Sequence, residues 1–218
     1  MRRTALLLLL LLLPPPARAA SGDIASGLTE ALVVGAQRVV AELGRPGGFL
    51  DNPKFRIPLP GPLEQARSTL KLVGLSGLAD DLDVRLNRAA EEATPVAGDL
   101  LIQAIRNVTI KDAVGILDGP KDAATRYLER QTSQPLAEKM RPIVDRTLAD
   151  AGAVRAFDSL AGRFDQLPFV GDLKADLSGH VISYAERALF DQLGAEEARI
   201  RTDPAARTTE LLKRIFGH

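Results

Sequence analysis

Cysteine and tryptophan are absent from all 218 residues, histidine occurs twice, and aromatic side chains make up 4% of the chain. Without cysteine there is no disulfide, no thiol nucleophile and no cysteine-held metal, so packing alone must hold the fold. A basic excess is missing too: 28 Lys and Arg stand against 28 Asp and Glu. Nucleic-acid binding needs such an excess to meet phosphates, and is not expected. No alternating run of β-branched residues reaches five, no segment repeats at a fixed period, and neither G-x-x-x-x-G-K nor G-x-S-x-G occurs. Sheets, solenoids, phosphate loops and serine-hydrolase elbows are therefore all unsupported. No cofactor or metal site is predicted.

What is present begins with Arg2 and Arg3, nine apolar residues from Ala5 to Leu13, three prolines and the small-residue pattern Ala17-Arg18-Ala19. These are the three regions of a secretory signal peptide in order, with cleavage expected after Ala19. Nine apolar residues reach about half of the roughly 20 that a membrane-crossing helix needs, so no transmembrane span is expected after cleavage. Residues 1–19 are thus read as signal and 20–218 as one exported domain, periplasmic or secreted. Losing Arg2, Arg3 and Arg18 leaves 25 basic against 28 acidic side chains, a net charge near −3.

Three- and four-residue apolar spacing then recurs almost without interruption, which predicts an all-α bundle of about nine helices. A first helix runs from about Ile24 to Leu43. A second starts at Pro62 and closes at Gly74. A third, lined by Leu78, Leu82, Leu86, Ala89 and Ala93, is expected to break or kink at Thr94-Pro95 before a run from Val96 to Val108. Thr109 and Asp112 form a capping-box variant for a short helix to Leu117. Ala123 to Gln131 follows, and Ser133 is read as the cap of another helix, which gives a soft sub-bundle boundary near 131–133. Further helices carry Val154 to Phe164, Asp176 to Thr202 and Thr209 to Phe216, with an apolar loop over 167–172.

The exception is Gly44 to Glu64, GRPGGFLDNPKFRIPLPGPLE, with five prolines and four glycines. Prolines forbid helix here and leave an extended, polyproline-like conformation. Phe55, Ile57 and Leu59 alternate with Lys54, Arg56 and Pro58. The stretch is therefore either a strap whose apolar side closes over the bundle or an exposed ligand for a partner groove, with Arg45, Lys54, Phe55 and Arg56 in contact.

LGRPGGFLDNPKFRIPLPGPL, LNRAAEEATP, IKDAVGILDG, DAATRYL, PIVDRTL and IRTDPAARTTELLKRIFG resemble, in order and spacing, the bacterial domain-of-unknown-function family 4197. The resemblance implies a bacterial, exported, helical protein and carries no activity with it.

Candidate chemistry is sparse. Asp80, Asp83, Asn87 and Glu91 share one helical face opposite the leucine stripe. They can be catalytic carboxylates, but the ordinary reading is a solvated face with Asp81–Arg85 and Arg88–Glu92 ion pairs. His180 beside Tyr184, with Ser183 or Ser178, lacks the strained turn and orienting acid of a triad. Asp122, Thr125, Arg126 and Tyr127 suit a helix first turn, or else line a small polar pocket. Arg141 and Asp145 look like an exposed pair. Arg201, Arg207, Thr208 and Thr209 flank a proline turn at a helix start and can clamp a phosphate or carboxylate, while the bland reading has Thr208 capping and Arg207 paired locally.

The function favoured on these grounds is a non-catalytic envelope module that binds a partner protein or a small anionic ligand. Hydrolysis of envelope material and carriage of a lipid between helices are the alternatives. A deep polar pocket ringed by Asp83, Asn87 and Glu91 would favour the first of these, and a large apolar cavity the second.

Overall fold

The computed structural model describes residues 19–162, apart from 66, 73 and 75, and residues 176–206. The signal segment before residue 19, the loop at 167–172, the helix expected at 209–216, and Arg207, Thr208 and Thr209 lie outside the described residues. Eight helices occur among the described ones: α1 (Ala19–Leu43), α2 (Gly61–Gln65), α3 (Arg67–Leu72), α4 (Ser76–Arg106), α5 (Ile110–Leu117), α6 (Ala123–Asp150), α7 (Ala153–Ala161) and α8 (Leu177–Thr202), followed by a 3₁₀ turn at Pro204–Ala206. No strand occurs among them. The protein is all-α, as its apolar spacing predicts.

α4 is the centre. It packs against α6, α1 and α7, while α8 lies across α6 and α1. Its stripe Leu82, Leu86, Ala89, Ala93, Ala97, Leu101 and Ile105 is buried throughout. That stripe explains why the break expected at Thr94-Pro95 does not occur. Pro95 sits inside a continuous helix, where it removes one backbone hydrogen bond at a cost of about 3 kcal/mol. Keeping Leu101 and Ile105 in register with the core is worth about 2 kcal/mol each, so continuity wins. Ser133 is likewise no cap. Its hydroxyl donates to the Glu129 carbonyl one turn back, at 2.8 Å, and α6 runs unbroken through 131–133.

Helix approach is set by small residues. A Cβ at Gly98 of α4 would lie 2.6 Å from a methyl of Val40 on α1, so glycine there lets the two helices touch. α6 and α8 run antiparallel: Glu197 near the end of α8 meets Ala124 and Thr125 at the start of α6, and Ser178 near the start of α8 donates to Asp145 near the end of α6. Asp145 thus receives a cross-helix hydroxyl in place of the exposed pair with Arg141 read from the sequence.

The Gly44–Glu64 stretch is a strap over the bundle. Phe49, Phe55, Ile57 and Leu59 are buried, while Lys54 and Arg56 face outward. Its first half differs from the extended form expected. Backbone bonds from Gly48 to Arg45, Asp51 to Gly47, Asn52 to Phe49 and Arg56 to Asn52 coil it into successive turns, with Gly47 at φ +84°. Residues 56–60 form the longest run without a regular pattern. Glycines at 47 and 48 permit the turns, which satisfy backbone groups that an extended chain would leave bare.

Candidate functional site: the groove between α6 and α8

The carboxylate face of α4 is solvated only at its start, where Asp80 is exposed and paired with Arg67 at 3.0 Å and Asp81 pairs with Arg85 at 2.8 Å as expected. Asp83, Asn87 and Glu91 are 4%, 0% and 3% exposed, and all three hold the strap. Glu91 Oε1 accepts the N–H groups of Gly47, Phe49 and Leu50, each at 3.1 Å, and its Oε2 takes Arg88 at 2.6 Å. Arg88 therefore pairs with Glu91, and Glu92 instead accepts the Thr147 hydroxyl. Asn87 exchanges two hydrogen bonds with the backbone of Ile57. Asp83 receives Arg56 of the strap and Arg67 of α3, at 3.1 and 3.0 Å. A solvated face requires exposed positions, whereas the strap covers this side of α4 as the leucine stripe covers the other. Of the weak catalytic candidates, each has its polar atoms engaged by the protein itself.

Among the residues considered as partner contacts, Arg45 and Lys54 are exposed, Arg56 is partly tied to Asp83 and the Leu50 carbonyl, and Phe55 is buried at 7%. His180 Nε2 lies 2.8 Å from the Pro58 carbonyl and its ring packs on Tyr184, so it fastens the strap to α8. Ser183 donates back to the His180 carbonyl. These groups form no triad. Arg201, the one described member of the anion set, pairs with Glu197 at 2.8 Å and donates to the Ile116 and Leu117 carbonyls at the end of α5.

Glu197 is not among the sequence-predicted site residues. It is buried, and its carboxylate accepts Ala124 N–H at 3.0 Å, Thr125 N–H at 2.8 Å and the Thr125 hydroxyl at 2.8 Å. Asp122, at the expected N-cap of α6, makes no capping bond. Its carboxylate goes to Arg126 at 2.8 Å, which holds it below the ordinary carboxylate range. The positive end of α6 is therefore capped from a distance by α8.

Above that cap, α6 and α8 border a groove of about 550 Å³. The polar pocket foreseen for Asp122, Thr125 and Arg126 is here, and all three line it. Tyr127 turns to a neighbouring hollow with Lys111 and Asp112, where its hydroxyl donates to Asp112. The opposite wall is formed by Glu186, Arg187, Phe190, Asp191 and Gly194 of α8. Glu186 is the unusual member. One of its carboxylate oxygens is closed to solvent and has no hydrogen-bond partner. Burial, and then the facing Glu129 carboxylate, push it up to about 7. It occupies the four-residue row between Ile182 and Phe190, both buried, and a carboxylate interrupting such a row was the available signal. Glu197 interrupts the row from Leu193 to Ile200 in the same way.

Elsewhere, the apolar recess between α1 and α8, lined by Leu28, Leu32 and Leu193, holds only about 10 Å³. No helix among the described residues is long and apolar enough to cross a membrane, and none of their acidic or histidine side chains gather in threes that could hold a metal ion. No curated protein and no solved structure matches the chain. The family model described as protein of unknown function (DUF4197) matches residues 18–217, and the chain belongs to that family.

Proposed function

We propose that this protein is a non-catalytic ligand-binding module of the bacterial cell envelope and that the α6–α8 groove is its binding site. The carrying observation is the groove itself: about 550 Å³ between two helices, within the size range of small-molecule sites, with a half-buried carboxyl group that the protein leaves without a partner. Perturbed titratable groups concentrate at functional sites because function requires what folding alone would avoid. Against catalysis stands the engagement of Asp83, Asn87, Glu91 and His180 with the strap. The α1–α8 recess is too small for a lipid chain. Export is supported by the signal-like residues 1–19 and by a family match that starts beside the expected cleavage site.

Two measurements test the reading. Intact mass of protein recovered from the periplasm should correspond to residues 20–218, and a cytoplasmic, full-length product overturns the compartment. A small-molecule fragment set screened by ligand-observed NMR should yield binders that Ala195→Trp, which fills the groove, abolishes while the fold is kept. Binders indifferent to Ala195→Trp, or none at all, would reject the groove.

A further inference from the structure

We propose that the groove takes a small ligand bearing a single organic ammonium group, seated between Glu129 of α6 and Glu186 of α8. The inference rests on the groove being a ligand site, and adds the chemistry of what fills it.

The charged groups that line the groove are Lys121, Asp122, Arg126 and Glu129 on one side and Glu186, Arg187 and Asp191 on the other. Their pairing is uneven. Arg126 is held by Asp122 at 2.8 Å, and Arg187 stacks over the Tyr184 ring at 5.1 Å. Neither offsets the two glutamates: Glu129 makes no ion pair among the described residues, and the charge acting on Glu186 is the like charge of Glu129. Two carboxyl groups are thus left without an ion-pair partner: Glu129 is exposed, while Glu186 is half-buried, with one oxygen closed to solvent and unsatisfied. Burying a carboxylate unpaired is costly, so the site favours any ligand that supplies the missing positive charge.

The shape of the deficit selects the cation. A hard dication needs about six oxygens, and among the described residues no three acidic or histidine side chains gather so as to hold one, Asp122 and Asp191 of the groove included. An ammonium carries one charge and three N–H donors on a single atom, which two carboxylates can share. A polyamine is disfavoured because its further charges would meet Lys121, Arg126 and Arg187. The rest of the ligand is therefore neutral or anionic, and Phe190, Gly194 and Ala195 provide an apolar wall for it.

Binding should also move a proton. Glu186 is about half ionised near pH 7, and an ammonium binds the ionised form, so its entry drives the proton off.

The test uses ¹⁵N-labelled residues 20–218 titrated with 6-aminohexanoate and benzylamine, with hexanoate, benzoate and spermidine as controls. The two monoamines should shift amides on both α6 and α8 and bind at least tenfold tighter than the three controls. Their affinity should rise about tenfold between pH 6 and pH 8, as the ionised fraction of a group titrating near 7 goes from about one tenth to nine tenths. Glu186→Gln should weaken them about tenfold and abolish the pH dependence, and Glu129→Gln should weaken them as well. Carboxylates binding as tightly as amines, no binding by either amine, or Glu186→Gln without effect would each overturn the ammonium assignment. In those cases fragments displaced by Ala195→Trp still establish the groove as a ligand site, so the two readings fail separately.

Discussion

Asn87 on α4 grips Ile57 of the strap by both of its backbone groups: the Ile57 N–H donates to Asn87 Oδ1 at 2.8 Å, and Asn87 Nδ2 donates to the Ile57 carbonyl at 2.9 Å. The same Nδ2 also reaches Asp83. A single amide thereby replaces the strand partner that Ile57 would need to bury its backbone without a sheet. Asn87→Ala removes both bonds and leaves the Ile57 N–H and carbonyl buried without partners, a loss of about 3 kcal/mol. Urea denaturation should show that loss, with faster amide exchange at Ile57 in the native state. A variant as stable as the wild type, with Ile57 still protected, would mean the strap is held by its apolar side chains alone.

Those side chains make their own prediction. Phe55 is 7% exposed and Lys54, its neighbour, lies over its ring at 4.6 Å with the ammonium in solvent. Phe55→Asp should destabilise the fold by about 3 kcal/mol, because it buries an uncompensated charge. Lys54→Asp should change stability by no more than about 0.5 kcal/mol, as an exposed site does. Equal effects at both positions, or ready proteolysis between Asp51 and Leu59 in the wild type, would place the strap in solvent and return it to the partner-ligand reading.

Much of this architecture was legible in the sequence and some was not, for identifiable reasons. Apolar spacing gives helix type and the buried face, because burying a stripe is the dominant energetic term; Phe55, Ile57 and Leu59 reveal the strap's inner side by the same logic. Proline and serine mislead at 95 and 133. Each is a local signal worth a few kcal/mol at most, and the core contacts of a long helix outweigh it. The polar face of α4 misleads differently. A helical wheel shows that Asp83, Asn87 and Glu91 lie together, but only a second element brought over them decides between solvent and hydrogen bonds. Glu186 and Glu197 each break an apolar row, which is a readable anomaly, yet their partners on α6 are more than fifty residues away in the chain.

The distant cap on α6 carries a third prediction. Glu197 and Arg201 are 4% and 11% exposed at the side chain. The carboxylate closes the start of α6 as the guanidinium closes the end of α5. Glu197→Ala orphans two backbone N–H groups and removes the buried carboxylate that neutralises the Arg201 guanidinium, so it should cost about 4 kcal/mol. Arg201→Ala should also destabilise, and the double variant should lose less than the sum of the two, with a coupling of about 1–3 kcal/mol. Strict additivity in denaturant midpoints would show that the two groups stabilise their helices independently.

The last prediction separates Glu186 from every other carboxylate by its direction. An ordinary glutamate titrates near 4.5, and burial with the Glu129 charge pushes Glu186 to about 7. Between those values the native protein keeps a proton that the unfolded chain has released, so the unfolded state binds fewer protons and stability falls as pH rises. The decline begins near pH 4.5 and is complete above pH 7. At full burial the shift would be worth roughly 3 kcal/mol, and the half-exposure of this side chain reduces it to about 1 kcal/mol. Asp122 and Glu196, held low chiefly by hydrogen bonds from Arg126 and Arg199, work in the opposite sense. They contribute above the normal carboxylate range and are lost as pH falls through their lowered values, which puts them in a separate, more acidic window. Glu186→Gln keeps the side-chain shape and cannot ionise. It should therefore be about 1 kcal/mol more stable than the wild type at pH 8, with the gap closing as pH falls toward 4.5. Denaturation of both proteins across that range, without ligand, is the measurement. Parallel curves would mean that Glu186 ionises in the groove as freely as in the unfolded chain.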